Sequence, residues 1–368
     1  MKQIKSPTIF QALLPIIFLV VLLIINVSVF GDDALSGSMQ IVLILSSAVA
    51  SIIAFNLGFT WLEIQKGIVK SINSSIPSIL ILFLVGSLAG SWLLSGIVPA
   101  FIYYGIQILN AKIFLFAACI ISIVVSMATG SSWTTSATIG IALIGIGRAL
   151  DISDGLVAGA ILSGAYFGDK MSPLSDTTNL APAMSGGDLI SHIKYLSLTT
   201  LPSIIISLII FIILGLNISD NIGLNNAEAI SSAIKEKFYI SPVLFIVPLT
   251  VIILIYNKIK AVPALFVGVI LGSFFAIIFQ SGLVVDVSSS ETISWKALFS
   301  GTIISLYGSI SINTSNPLVT DLLSSSGMFG MLDTIWLVIC AMIFGGVMEK
   351  GGFLKKIISI ILNKIKST

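Results

Sequence analysis

The chain has 368 residues, 56% of them hydrophobic and 9% charged, with a net charge of +2 at pH 7. Soluble domains carry roughly 25% charged residues, so this composition excludes a soluble enzyme, a nucleic-acid binder and a disordered chain. It indicates an all-α polytopic membrane protein, because helices satisfy their backbone hydrogen bonds within each span. Cys119 and Cys340 lie in apolar runs, so no disulfide framework is indicated.

In chain order, spans read at 9–30, 39–58, 76–94, 113–130, 196–216, 239–256, 262–280 and 331–348. Each has about the length needed to cross roughly 30 Å of hydrocarbon at about 1.5 Å per residue. The runs 98–109, 136–147 and 155–168 are too short to span and are interrupted by Gly, Ser and Thr. Residues 217–237 read as an external loop, and 297–310, rich in Ser and Gly, as interfacial or re-entrant. The tail 353–366 is amphipathic and lysine-rich, which suits either a helix on the cytoplasmic leaflet or the start of one more span. The expectation is a single transmembrane domain over 1–368, with about 9–11 hydrophobic segments and broken or re-entrant helices among them.

Charge sets the orientation. Lys2, Lys66, Lys70, Lys194, Lys350 and Lys356 are among thirteen lysines assigned to one side, against Lys235, Lys237 and Lys296 on the other. The positive-inside rule then places both termini in the cytoplasm.

Polar residues concentrate between 126 and 194, and Gly130, Gly168, Pro173 and Pro182 would interrupt helices there. Non-helical backbone at membrane depth persists only where it is buried in protein or lines a cavity, a common way to build an ion site. Asp169 and Asp176 are the candidate carriers of chemistry. A carboxylate inside the membrane costs several kcal/mol unless paired or hydrated, and is usually functional. One that holds either a proton or a metal cation, but not both, is by itself an exchange device. Lys170 is the adjacent candidate charge partner.

Ser172, Ser175, Thr177, Thr178 and Asn179 supply the hydroxyl and amide oxygens that a hard cation prefers. Ser131, Ser132, Trp133, Thr134 and Thr135 form a second polar break, which packed against the Asp169 region would bring further oxygens to the same place, or else serves close helix approach alone. Arg148, Asp151 and Asp154 read as a polar turn with local ion pairs, and the lone His192 as interfacial. One histidine and two distant cysteines give no metal-site spacing, and no P-loop pattern occurs, so neither a resident metal, a cofactor nor ATP is expected.

These residues resemble the NhaC family of Na⁺/H⁺ antiporters, within the wider ion-transporter superfamily. The similarity is carried by residues 10–38, 95–109, TGSSWTTSATIGIALIGIG (129–147), SGAYFGDKMSPLSDTTNLAPAMSG (163–186) and 326–352. It implies an ion-transporter-like fold in a bacterial cytoplasmic membrane, with Na⁺, H⁺ and the lipid bilayer as partners and no enzymatic reaction. It also implies that Asp169, Asp176, Thr177, Thr178 and Asn179 lie in the polar core. Some relatives exchange small carboxylates such as malate and lactate together with these ions. That alternative asks for a cation to hold the carboxylate, and Lys170 and Arg148 are the candidates.

Family members usually carry further spans with a Glu-Asp-Ser-Gly and a Pro-Trp-Asn-Thr stretch, and neither occurs here. The second half, 196–368, is therefore expected to be incomplete. The chain would then be a truncated, non-transporting remnant, or half of a split transporter; a homo-oligomer or a missing C-terminal fragment is the partner this leaves open.

Overall fold

The computed structural model describes residues 5–364 apart from 109, 174, 176, 177, 179–181, 183–187, 219, 258, 315–319, 321 and 322. For residues 32, 220–228 and 360–364 only the backbone is described. The chain folds as two compact units, one of residues 1–82 with 331–368 and one of residues 83–330.

The first unit contains α1 (Ile9–Phe30), α2 (Ser38–Asn56), the start of α3 (Trp61–Leu94), α15 (Leu332–Lys350) and α16 (Phe353–Lys364). Thr8 and Gln11 start α1 with a reciprocal cap, each side chain accepting the other's backbone N–H. Small residues bring these helices together. Ala12, Ala50 and Ala54 pack with Ile53, Ile64, Val347 and Phe353. Gln40 is fully buried and donates to the carbonyls of Leu35 (2.9 Å) and Asp333 (3.2 Å), so it ties α2 to the start of α15.

The second unit holds the rest of α3, then α4 (Ile97–Ile108), α5 (Ala111–Thr129), α6 (Ser132–Thr135), α7 (Ile141–Ala149), α8 (Asp154–Met171) and α9 (Leu189–Leu216). It continues through α10 (Asp220–Lys237), α11 (Ile246–Tyr256), α12 (Ala261–Phe279), α13 (Ser281–Val287) and α14 (Trp295–Tyr307). A two-residue antiparallel pair follows, β1 (Ile310–Ser311) with β2 (Ser324–Ser325), in register Ile310 opposite Ser325. Its apolar core joins Phe114, Leu115 and Ala118 of α5 to Leu143 and Ile146 of α7, Val157, Ala160 and Ile161 of α8, and Ile204 and Phe211 of α9.

Among the described residues, seven helices are long and apolar enough to cross a bilayer, or eight if a bent pair is counted as one span. The chain is a multi-pass α-helical membrane protein. Two expectations need correction. The run 239–256 is not one helix: α11 and a 3₁₀ turn at Pro242–Phe245 follow residues 229–237 at a bend of 87°. Pro242 cannot continue a helix from upstream, and Ser241 caps a new start through its hydroxyl. Residues 217–237 are not a loop but mostly α10. Ile230, Ala233 and Ile234 recur at helical spacing on a buried face. Lys235 lies over the Tyr103 ring of α4 at 4.9 Å.

Apolar helices here carry many hydroxyls at little cost. Ser46, Ser51, Thr138 and Ser273, among others, donate to the carbonyl four residues earlier, which satisfies them within their own helix. Residues 297–310 comprise most of α14, then Gly308 in extended conformation, then β1.

Candidate functional site

Two glycines set the position of the polar band. Gly164 and Gly168 are one turn apart on α8 and face α5. A Cβ on Gly168 would lie 2.6 Å from the Ile123 carbonyl oxygen and 2.8 Å from the Met127 amide nitrogen. One on Gly164 would collide with the Cys119 carbonyl oxygen. The two backbones are therefore in contact, the close approach that small residues spaced by four permit. Ser126 of α5 exploits it by donating across to the Ala165 carbonyl.

Asp169 follows Gly168 and is carried into the interior at the end of α8. It is 9% exposed. Opposite it, α5 ends at Gly130 in the left-handed region (φ 67°), a conformation that favours glycine. The chain then re-enters helix at α6. Ser131 caps that start, its hydroxyl accepting from the Thr134 amide (3.2 Å) and from the Thr134 hydroxyl (3.0 Å). This places Ser132 against α8, where its hydroxyl donates to Asp169 Oδ2 at 3.0 Å.

A π-helical turn at Ser136–Gly140 joins α6 to α7. Such turns occur often at functional sites. Nothing in the residues SATIG announces it. Thr135 and Thr138 are fully buried there and bond back to the carbonyls of Ser131 and Thr134.

The far side of the site is the break after α8. Ser172 is fully buried and donates to the Met127 carbonyl at 2.8 Å, tying the break to the end of α5. Thr178 donates to the carbonyls of Asp169 (3.1 Å) and Lys170 (3.3 Å), the backbone end of α8. Its own amide donates to the hydroxyl of Ser175, also buried. Of the anticipated residues, Ser131, Ser132 and Thr134 thus lie at the break after α5, and Asp169, Ser172, Ser175 and Thr178 at the break after α8, the two being joined by the Ser132–Asp169 and Ser172–Met127 bonds. Asp176, Thr177 and Asn179 lie outside the described residues.

Lys170 is a correction. It is exposed and forms no ion pair with Asp169. Consecutive residues on a helix point roughly 100° apart, so burying Asp169 turns Lys170 outward. A serine hydroxyl, not a cation, meets the carboxylate. The sequence does not single out Ser126 or Thr138. Their only signal was membership of the polar band, since their bonds depend on which helix lies opposite.

The polar turn behaves as anticipated. Arg148 at the end of α7 donates through Nε to both carboxylate oxygens of Asp154, at 2.8 and 3.0 Å, and also through Nη2. The guanidinium holds the Asp154 carboxyl below its ordinary value. Both side chains are about half exposed, so solvent screening limits the pair to about 1 kcal/mol or less. Because the folded value is depressed, this stability is present above the ordinary carboxylate range and lost as pH falls through the folded value. Asp154→Asn should lower the melting temperature in detergent only slightly at pH 7. The difference should vanish once both proteins are acidified below that value.

A family model described as the Na⁺/H⁺ antiporter family matches residues 164–368. A malate-2H⁺/Na⁺-lactate antiporter of Bacillus subtilis is 36% identical over 369 aligned positions, covering 100% of this chain and 74% of that protein. The Na⁺/H⁺ antiporter NhaC of Alkalihalophilus pseudofirmus is 33% identical over 328 positions, 89% of this chain and 68% of that protein. The arginine/ornithine antiporter ArcD of Halobacterium salinarum is 36% identical over 358 positions, 96% and 70% respectively.

Proposed function

The chain belongs to the Na⁺/H⁺ antiporter family, and on that premise we propose that it exchanges Na⁺ for H⁺ at the helix break around Asp169. The observation that carries this reading is a buried carboxylate held at 3.0 Å by a serine hydroxyl where two helices are interrupted face to face. A carboxylate there, among hydroxyl and carbonyl oxygens, is a donor set suited to a hard cation. It is equally suited to a proton, and occupancy by one excludes the other. Net exchange follows if the site is reachable from the two sides of the membrane in turn.

The reading extends to Asp176, Thr177 and Asn179 as members of the same oxygen cluster. It places the chain in a bacterial cytoplasmic membrane with both termini in the cytoplasm, on the lysine asymmetry. It also treats residues 1–368 as one transporter domain, with the polar core at 126–194.

Purified protein in liposomes loaded with a pH-sensitive dye tests it. Addition of Na⁺ should dissipate a preset pH gradient, while choline at equal ionic strength should not. Folded, reconstituted protein without a Na⁺ response would sink the proposal.

A further inference from the structure

The charges of the first unit are sorted between its two ends. At one end the amide of Lys5 bonds to the Leu57 carbonyl beyond α2, and α3 begins with Lys66 and Lys70 in its opening turns. There α15 finishes at Lys350, whose side chain lies against Gly67 of α3, and α16 follows with Lys355 and Lys356. At the other end α1 runs into Asp33, and Asp333 opens α15. A unit polarised in this way presents a cationic end to whatever lies beside it.

The length of α3 sets the depth of that end. The helix has 34 residues, about 51 Å at 1.5 Å per residue, against roughly 30 Å of hydrocarbon. Its uninterrupted apolar part starts only near Ile76, so the turns over 61–75 belong at the depth of the lipid headgroups. One face of those turns forms a groove of about 450 Å³, lined by Leu62, Gln65, Lys66, Val69, Lys70 and Asn73. These residues recur three and four apart, so they share one stripe of the helix. Leu62 and Val69 are apolar yet exposed, and so is Trp61 beside them, a residue type that favours the interface. Cations, amides and apolar side chains on one stripe match an amphiphile with a phosphate at one end and hydrocarbon at the other.

We propose that this groove holds an anionic phospholipid, with its phosphate on Lys66 and Lys70, its headgroup hydroxyls on Gln65 and Asn73, and its acyl region on Leu62 and Val69. The inference is separate from the cation exchange placed at Asp169, which belongs to the other unit. The acidic neighbours do not cancel the site. Glu63 is engaged in capping α3, accepting from the amide and the hydroxyl of Thr60 at 2.8 and 2.9 Å. Glu349 pairs with Lys70 at 3.3 Å, but both side chains are mostly exposed, so the pair is worth about 1 kcal/mol or less. The Lys70 ammonium has three donors, and one is committed there. Among the described residues Lys66 has no ion pair, and Lys350 adds a third cation beside it.

The test is native mass spectrometry of the delipidated full chain in uncharged detergent, titrated with an equimolar mixture of phosphatidylglycerol and phosphatidylcholine. Phosphatidylglycerol should be retained in preference, with one adduct saturating first. Lys66→Gln combined with Lys70→Gln should weaken that adduct more than tenfold, since each lysine near an anionic lipid contributes about fivefold. Glu349→Gln should tighten it severalfold by freeing Lys70. Leu62→Ser with Val69→Ser should weaken it while leaving both ammonium groups in place. Lys237→Gln, in the second unit, controls for loss of charge alone and should change nothing. Equal retention of the two lipids, or an adduct that survives the double lysine change, would overturn the site. Displacement of the lipid by an equal concentration of glycerol 1-phosphate would show a site for free phosphate and overturn the lipid assignment. A dimer that forms on delipidation and depends on Lys66 and Lys70 would give the groove to a second copy, and overturn it likewise.

Discussion

Asp169→Asn should reduce Na⁺-driven proton movement to the level of protein-free liposomes. The substitution keeps the shape of the side chain and its ability to accept from Ser132 Oγ, now 3.0 Å from Oδ2. It removes the negative charge and the protonatable oxygen together. An amide oxygen is a weaker ligand for Na⁺, and at neutral pH the amide neither takes up nor releases a proton. The coupling of the two ions therefore has nothing to act on. Ser132→Ala makes the complementary case. It deletes one donor, worth about 1.5–3 kcal/mol when the acceptor is charged, and leaves the acid in place, so exchange should slow without disappearing. Unchanged elution and melting behaviour of the Asn variant would show that the loss is chemical rather than a failure to fold. Wild-type exchange rates in that variant would remove Asp169 from the mechanism.

Gly164→Val should be among the most destabilising single changes in the second unit. In an ordinary helix interior, replacing glycine by a residue with a side chain gains up to about 1 kcal/mol in propensity. At Gly164 that gain is overridden, because the new Cβ collides with the Cys119 carbonyl oxygen and lies 2.9 Å from Ser122 Cβ. The obstacle is backbone, which cannot swing aside as a side chain would, so α5 and α8 must separate. Overpacking of this kind costs about 1–3 kcal/mol, occasionally more. Separation also breaks the bond from Ser126 to the Ala165 carbonyl and that from Ser172 to the Met127 carbonyl. Gly159, five residues earlier on the same helix and on another face, has nothing within 4 Å of the site of a new Cβ. Gly159→Ala should therefore be neutral or slightly stabilising. Thermal melting in detergent distinguishes the two, and similar melting temperatures would refute the account of the α5–α8 contact.

Hydropathy alone located most of the spans, because a helix surrounded by lipid must be apolar along its whole length whatever its neighbours are. It read α1, α2, α5 and α12 to within a few residues. It failed where the period and not the mean hydropathy carried the information. The polar segment before α11 looked like a loop because its average is low, yet Ile230, Ala233 and Ile234 make one apolar stripe. The bend at Pro242 was hidden for the opposite reason. Both of its sides are apolar, so the window ran through the break.

The same division runs through the site. Asp169 was legible from sequence because an ionisable group in an apolar chain is costly and stands out. So were the serines and threonines around it, as a class. Which of them meets the carboxylate was not legible, since side chains 37 residues apart are paired only by the contact of α5 with α8. Lys170 was misjudged because adjacency in sequence is not adjacency across a helix. Arg148 and Lys170 were equal candidates to hold an organic anion. The fold leaves Lys170 exposed at the end of α8 and pairs the half-exposed Arg148 with Asp154. By itself the sequence determined a chain of apolar spans interrupted by one polar band with an acid in it, because continuous apolar runs of about 20 residues satisfy their backbone in lipid as helices. The tertiary structure alone decided that two glycines bring two helix backbones into contact, and that this contact hands the acid to a serine rather than to a lysine.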